Sequence, residues 1–184
     1  MLFANSCLMC VMLCLSSLWH MVQSLANPQR DFEACGNSRQ SLICDPHNYL
    51  TDELRKVIDY KLANLLFKTH CFCRSACATT LLSRLVIGVA VMEERELPQY
   101  ESNDLDQRMA LFADATLRNW TLGACGTNDA LILALVSTQS LDTRISFRPN
   151  TMVARTLDPH CLDMLNKQHS HAPNHIVEMI DLVE

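Results

Sequence analysis

From Ala130 to Val136 the chain is continuously apolar (ALILALV). Gly126, Thr127 and Asn128 precede the run, and Ser137, Thr138, Gln139 and Ser140 follow it. A run this short cannot cross a bilayer, and its turn-forming flanks predict a β-strand buried on both faces. The next segment, Arg144-Ile145-Ser146-Phe147-Arg148, alternates polar and apolar as a half-buried strand does. A central strand followed by an edge hairpin implies a sheet, and helices must cover that sheet. Leu81 to Met92 (LLSRLVIGVAVM) reads as a second buried strand, and Gly88 inside it predicts close approach by a neighbour.

Two helices are plain in the pattern. Thr51 is placed to cap the first, with Asp52 and Glu53 where the helix dipole favours acids. Leu54, Val57, Ile58, Leu62, Leu65 and Leu66 follow at helical spacing. The second carries Leu105, Met109, Phe112, Ala113, Thr116, Leu117 and Trp120 on one face and ends at Cys125-Gly126. After the turn at Pro149-Asn150, Asp158-Pro159 starts a short helix to Lys167. Pro173 opens the last helix, with Ile176, Val177, Ile180 and Val183 inward. The order helix, strand, helix, strand, strand, helix, helix implies an α/β layer sandwich: a small mixed sheet with an edge hairpin and helices on both faces.

Residues 1–26 stand outside that fold. Cys7 to Val22 is apolar apart from Ser16, Ser17 and His20, and Ser24-Leu25-Ala26 offers the small residues a signal peptidase reads. The expected division is a signal peptide at 1–26, an N-terminal arm at 27–43 and one α/β domain at 44–184. The protein is thus expected in the secretory pathway, extracellular or associated with the cell surface. A net charge of −5, spread along the chain, gives no basic surface for nucleic acid.

Ten cysteines include Cys7, Cys10 and Cys14 in the leader. The rest, Cys35, Cys44, Cys71, Cys73, Cys77, Cys125 and Cys161, read in a secretory context as disulfide partners, one of them left over. The pairing favoured first joins one of Cys71, Cys73 or Cys77 to Cys125, tying the loop after the first helix to the turn before the central strand. A local Cys35–Cys44 bridge ranks second. The spacing Cys71-x-Cys73-x₃-Cys77 is not that of a zinc ribbon.

Ligands of open α/β sheets gather at the carboxyl ends of strands. There the sequence offers Glu93, Glu94 and Asp142, with Asp45 joining from the turn before the first helix. Asp45, Glu93 and Asp142 are the candidate oxygen ligands for Ca²⁺ or Mg²⁺, set against the blander reading of solvated acidic loops. The four glycines form no phosphate cradle, and no residue stands out as a nucleophile with a partnered base. His169, His171 and His175 make a histidine-rich tract, read first as a polar loop. Asn119-Trp120-Thr121 fits the glycosylation acceptor rule, although Trp120 is expected to pack inward and hide part of it.

Several of these pieces together resemble the TPM domain. They are ACG, then ICDPHNYLTDE with its helix, then LVIGVAVM, then FADATLRNWTLGACGTNDALILALVS. The likeness is closest to the extracellular animal branch, the proteins similar to the modulator of levamisole receptor, and it covers about Ala34 to Val183. It implies a Rossmann-like α/β sandwich and a non-enzymatic auxiliary protein that associates with a nicotinic-type, acetylcholine-gated channel at the membrane. Other branches of similar fold have been called acid phosphatases, which makes a metal-dependent phosphatase using the strand-end carboxylates the alternative. Animal members usually carry a transmembrane helix after the domain. Membrane association here is therefore expected through the partner or through an anchor beyond Glu184.

Overall fold

The two apolar runs lie side by side. Val86 pairs with Asp129 and the register continues, parallel, to Glu93 beside Val136. The computed structural model describes residues 25–69, 84–100, 102–126, 128–139, 142–167 and 175–183. Its elements are β1 (Ile43–Cys44), α1 (Asp52–Lys68), β2 (Val86–Glu93), a 3-10 turn (Glu94–Glu96), α2 (Leu105–Trp120), β3 (Asp129–Val136), β4 (Thr143–Pro149), α3 (Thr151–Thr156), α4 (Pro159–Lys167) and α5 (His175–Val183). The strands stand in the order β1-β2-β3-β4; β1, β2 and β3 are parallel and β4 is antiparallel to β3. This is the small mixed sheet with an edge hairpin that the sequence implied.

Alternation along the strands sorts the core into two layers. Ile87, Val89, Val91, Ala130, Ile132 and Ala134 point to one face, against Ile58, Leu62 and Leu65 of α1 and Ile176, Met179 and Ile180 of α5. Val86, Ala90, Met92, Leu131, Leu133 and Leu135 point to the other, where Met109, Phe112, Leu117 and Trp120 of α2 cover them. Burying each of the larger side chains contributes roughly 1.5–3 kcal/mol. The steps from β1 to β2 and from β2 to β3 advance in the same direction, yet α1 and α2 lie on opposite faces. The two crossovers therefore have opposite hands, and one departs from the usual right-handed rule.

Helix ends follow their capping residues. Thr51 Oγ1 accepts from Leu54 N at 3.2 Å, and the Asp104 carboxylate accepts from Asp106 N at 3.1 Å. Gly88 is needed for close packing: a Cβ there would stand 2.6 Å from Leu122 Cδ1 and 2.9 Å from Trp120 Cζ3. Among the described residues no helix is long and apolar enough to cross a membrane.

Three features differ from the expectation. The second buried strand begins at Val86 rather than Leu81. The Arg84 guanidinium instead reaches back to the carbonyls of Phe67 and Thr69, holding the chain off the sheet until Leu85 has passed; residues 81–83 lie outside the described residues. A short helix, α3, follows Pro149-Asn150 where a turn was expected, because Asn150 Oδ1 accepts from Thr151 N at 2.7 Å and caps it. The boundary drawn between 43 and 44 falls inside β1, so the arm contributes Ile43 to the sheet.

The outer edge of β1 is closed by its own arm. Ile43 N donates to Ser41 Oγ at 3.0 Å, Asn37 Nδ2 donates to Ile43 O at 2.6 Å, and Asp45 N donates to Cys35 O at 3.1 Å. A disulfide between Cys35 and Cys44 fixes that loop. Further back, the start of the arm and Leu25, which precedes it, are pinned to α2. Trp120 Nε1 donates to Leu25 O at 3.0 Å and Asn27 Nδ2 donates to Trp120 O at 2.6 Å, with Asn27 only 2% exposed.

Candidate functional site

The carboxyl ends of β1 and β2 collect most of the charged side chains singled out from the sequence. After Cys44 the chain turns through Asp45-Pro46-His47-Asn48, with Asn48 in the left-handed region at φ 56°. Asp45 is fully buried. Its Oδ1 accepts from Tyr49 N at 3.0 Å, and its Oδ2 accepts from Leu50 N at 2.9 Å and from Arg55 Nη2 at 3.0 Å. Arg55 comes from the first turn of α1 and also reaches Asn37 Oδ1 and Asn48 Oδ1. Gly36, at φ 72°, lets the arm pass beneath: a Cβ there would lie 2.7 Å from Asp45 O.

Tyr49 carries the network to β2, its phenol donating to Glu93 Oε1 while Arg95 pairs with Glu93 Oε2. The hydrogen bond from Tyr49 holds the Glu93 carboxyl below the usual carboxylate range, and Arg95 adds to that lowering against the opposing effect of burial. Burial, then the Glu93 carboxylate, pushes the Tyr49 phenol up to about 12. His47 Nε2 stands 2.8 Å from Glu96 Oε1, and Glu96 Oε2 accepts from Glu93 N at 3.3 Å.

Beside this cluster lies a polar cleft of about 330 Å³, lined by Glu94, Arg95, Gln99, Arg108 and Val136 to Gln139. Arg108 is already engaged there, donating to Leu97 O at 2.8 Å and Pro98 O at 3.2 Å. Asp142 sits at the β3–β4 turn, where its carbonyl accepts from Ser137 N at 2.9 Å.

Of the three candidate cation ligands, Asp45 and Glu93 are brought into one network through Tyr49, and Asp142 belongs to the neighbouring hairpin. The arrangement does not fit a Ca²⁺ or Mg²⁺ site. Asp45 spends its oxygens on backbone N–H groups and on Arg55, and Arg95 stands against Glu93, so a hard cation would meet two guanidinium groups. Among the described residues no group of three or more His, Cys, Asp or Glu side chains is placed to hold a metal ion.

Cys125 is disulfide-bonded, and its partner lies outside the described residues, as do Cys71, Cys73 and Cys77. The side chain of Cys161 and the residues His169 and His171 lie outside them too. His175 pairs with Glu178 at 2.6 Å. Asn119 and Thr121 of the glycosylation sequon are exposed at the end of α2 while Trp120 between them is buried.

A second polar centre, at the amino ends of β2 and β3, was not foreseen. Asp129 is fully buried; Oδ2 accepts from Leu122 N at 3.1 Å and Oδ1 from Asn150 Nδ2 at 2.9 Å. Asn128, equally buried, donates to Arg84 O and accepts from Cys125 N at 3.3 Å. The signal for it was two adjacent polar residues, Asn128 and Asp129, opening an otherwise apolar strand. Their role is to satisfy backbone groups of the turn after α2.

A family model described as modulator of levamisole receptor-1 matches residues 21–140. That span runs from the end of the leader segment through β3 and includes the first polar centre and, apart from Asn150, the second. No curated protein and no solved structure matches the chain.

Proposed function

Because the chain belongs to the modulator of levamisole receptor-1 family, we propose that it is a non-enzymatic auxiliary protein of a levamisole-sensitive, acetylcholine-gated channel. The family match over 21–140 carries this reading. In it the protein works outside the cytosol, in the secretory pathway or at the cell surface, and reaches the membrane through its receptor or through an anchor beyond Glu184. The Cys35–Cys44 disulfide is in keeping with an oxidising compartment.

An auxiliary protein changes gating only by binding the open or pre-open channel more tightly than the closed one. A difference of roughly 1–3 kcal/mol is sufficient for a visible shift in agonist response. The strand-end cluster suits that role, since Asp45 with Arg55 and Glu93 with Arg95 and Tyr49 are tied to one another. The phosphatase alternative has no support: two of its three proposed carboxylates, Asp45 and Glu93, are partners of Arg55 and Arg95, and the third, Asp142, belongs to the neighbouring hairpin.

The test is co-expression of the full chain with a levamisole-sensitive receptor, recording agonist-evoked current against dose. A leftward shift or larger maximal current is expected. Curves identical with and without the protein would refute the proposal.

A further inference from the structure

We infer that the outer face of α1 is a homodimer seam, on which a second copy of this chain packs its own α1 antiparallel. This does not rest on the receptor reading. Among the described residues, three of the large apolar side chains left exposed lie on that one helix: Val57 (44% exposed), Tyr60 (68%) and Phe67 (63%). With half-buried Asn64 between the aromatics, they fall at spacings of three, four and three residues. Such a stripe occupies about 80° of the helix surface, and its alternation is that of a two-helix seam. Ile58, Leu62 and Leu65, which serve the core, lie on the opposite side. The stripe is therefore surplus to the fold.

What fits this stripe is the stripe itself. Its spacing reads the same from either end, so an antiparallel copy sets Val57 against Phe67 of the second copy and Tyr60 against the second copy's Asn64. Each ring then meets a smaller side chain, as interdigitating layers require, and the phenol can donate to the amide oxygen. Charge agrees. Asp52 and Glu53 are exposed at the amino end of α1, whereas Lys61 and Lys68 lie toward its carboxyl end. Only antiparallel packing brings acid to base. In this register Glu53 comes within about 4.5 Å, measured along the axis, of Lys68 in the second copy. Lys61 is paired with Asp181 of α5, so the two lysines nearest the two-fold axis arrive already neutralised. A phospholipid surface fits less well, because the acidic end of the stripe would face headgroup phosphates.

The full chain, expressed in animal cells, is followed by sedimentation equilibrium from about 1 µM to 1 mM. A monomer–dimer equilibrium is expected, with Kd on the order of 10 µM, since four layers make a small interface. A short amine cross-linker should join Lys61 to Lys61, about 3 Å apart along the axis in this register, and not Lys56 to Lys56, about 18 Å apart. The double variant Tyr60→Glu with Phe67→Glu should stay monomeric throughout. At the lowest concentration it should melt with the native chain, since neither residue is buried. A native chain that is monomeric up to about 1 mM overturns the inference. A dimer that survives the double variant, or one that links Lys56 to Lys56, overturns it too. A monomer that floats with phosphatidylcholine vesicles would assign the face to lipid and overturn it likewise.

Discussion

The phenol of Tyr49, in the loop after β1, donates its hydrogen bond to the carboxylate of Glu93 at the end of β2. Two titrations are thereby coupled to folding. Glu93 is held below its ordinary value of 4.5, first by Tyr49. Its contribution to stability is present above 4.5 and is lost as pH falls through the lower folded value. Tyr49 is raised from 10.0 to about 12, so its contribution is complete below 10.0 and is lost as pH climbs toward 12. Urea midpoints measured across pH should therefore fall at both extremes. In Tyr49→Phe the alkaline fall should shrink and the acid fall should become shallower. An unchanged alkaline limb would contradict the assignment.

Asp45 and Arg55 form an enclosed ion pair, with side chains 0% and 15% exposed. Removing one partner of such a pair leaves the other charge uncompensated, at a cost of about 3–5 kcal/mol. Arg55→Leu should lower stability by that amount in urea unfolding. Asp45→Asn should cost less, because the amide can still accept from Tyr49 N or Leu50 N.

Gly88 sets the distance between β2 and the end of α2. A methyl group there meets the Trp120 ring and Leu122, and Gly88→Ala should destabilise by about 1–3 kcal/mol through overpacking. Leu122→Ala in the same chain opens space beside it. The double variant should therefore lose less than the sum of the two single losses.

The sequon at Asn119 is accessible at both of its recognised positions. Protein made in animal cells should shift in mobility on glycosidase treatment, and Asn119→Gln should abolish the shift. A glycan here would mark the end of α2 as a surface no tight partner covers.

Much of the architecture could be read from the chain alone, because β3 and β2 are buried on both faces and so appear as unbroken apolar runs. Gly88 announced its close neighbour for the same reason: nothing larger fits between packed layers. β1 escaped notice since two residues, Ile43 and Cys44, are too few to show a period. α3 escaped because Asn150 serves a turn and a helix cap equally well. The acidic residues at the strand ends were visible, but not their occupation. Asp45 looks like a ligand until Arg55, ten positions on, is folded back over it. Asp129 shows the opposite case, an acid at the start of a greasy strand whose partners come from the preceding turn and from Asn150.

The arm that closes β1 has a consequence for recognition. With Ser41, Asn37 and Cys35 already bonded to the outward groups of that margin, no foreign strand can be added there. The opposite margin, β4, carries Arg144, Arg148 and Pro149, residues that discourage strand addition. Both margins therefore favour a binding partner that reads this molecule by its side chains, knob by knob, over one that extends the sheet.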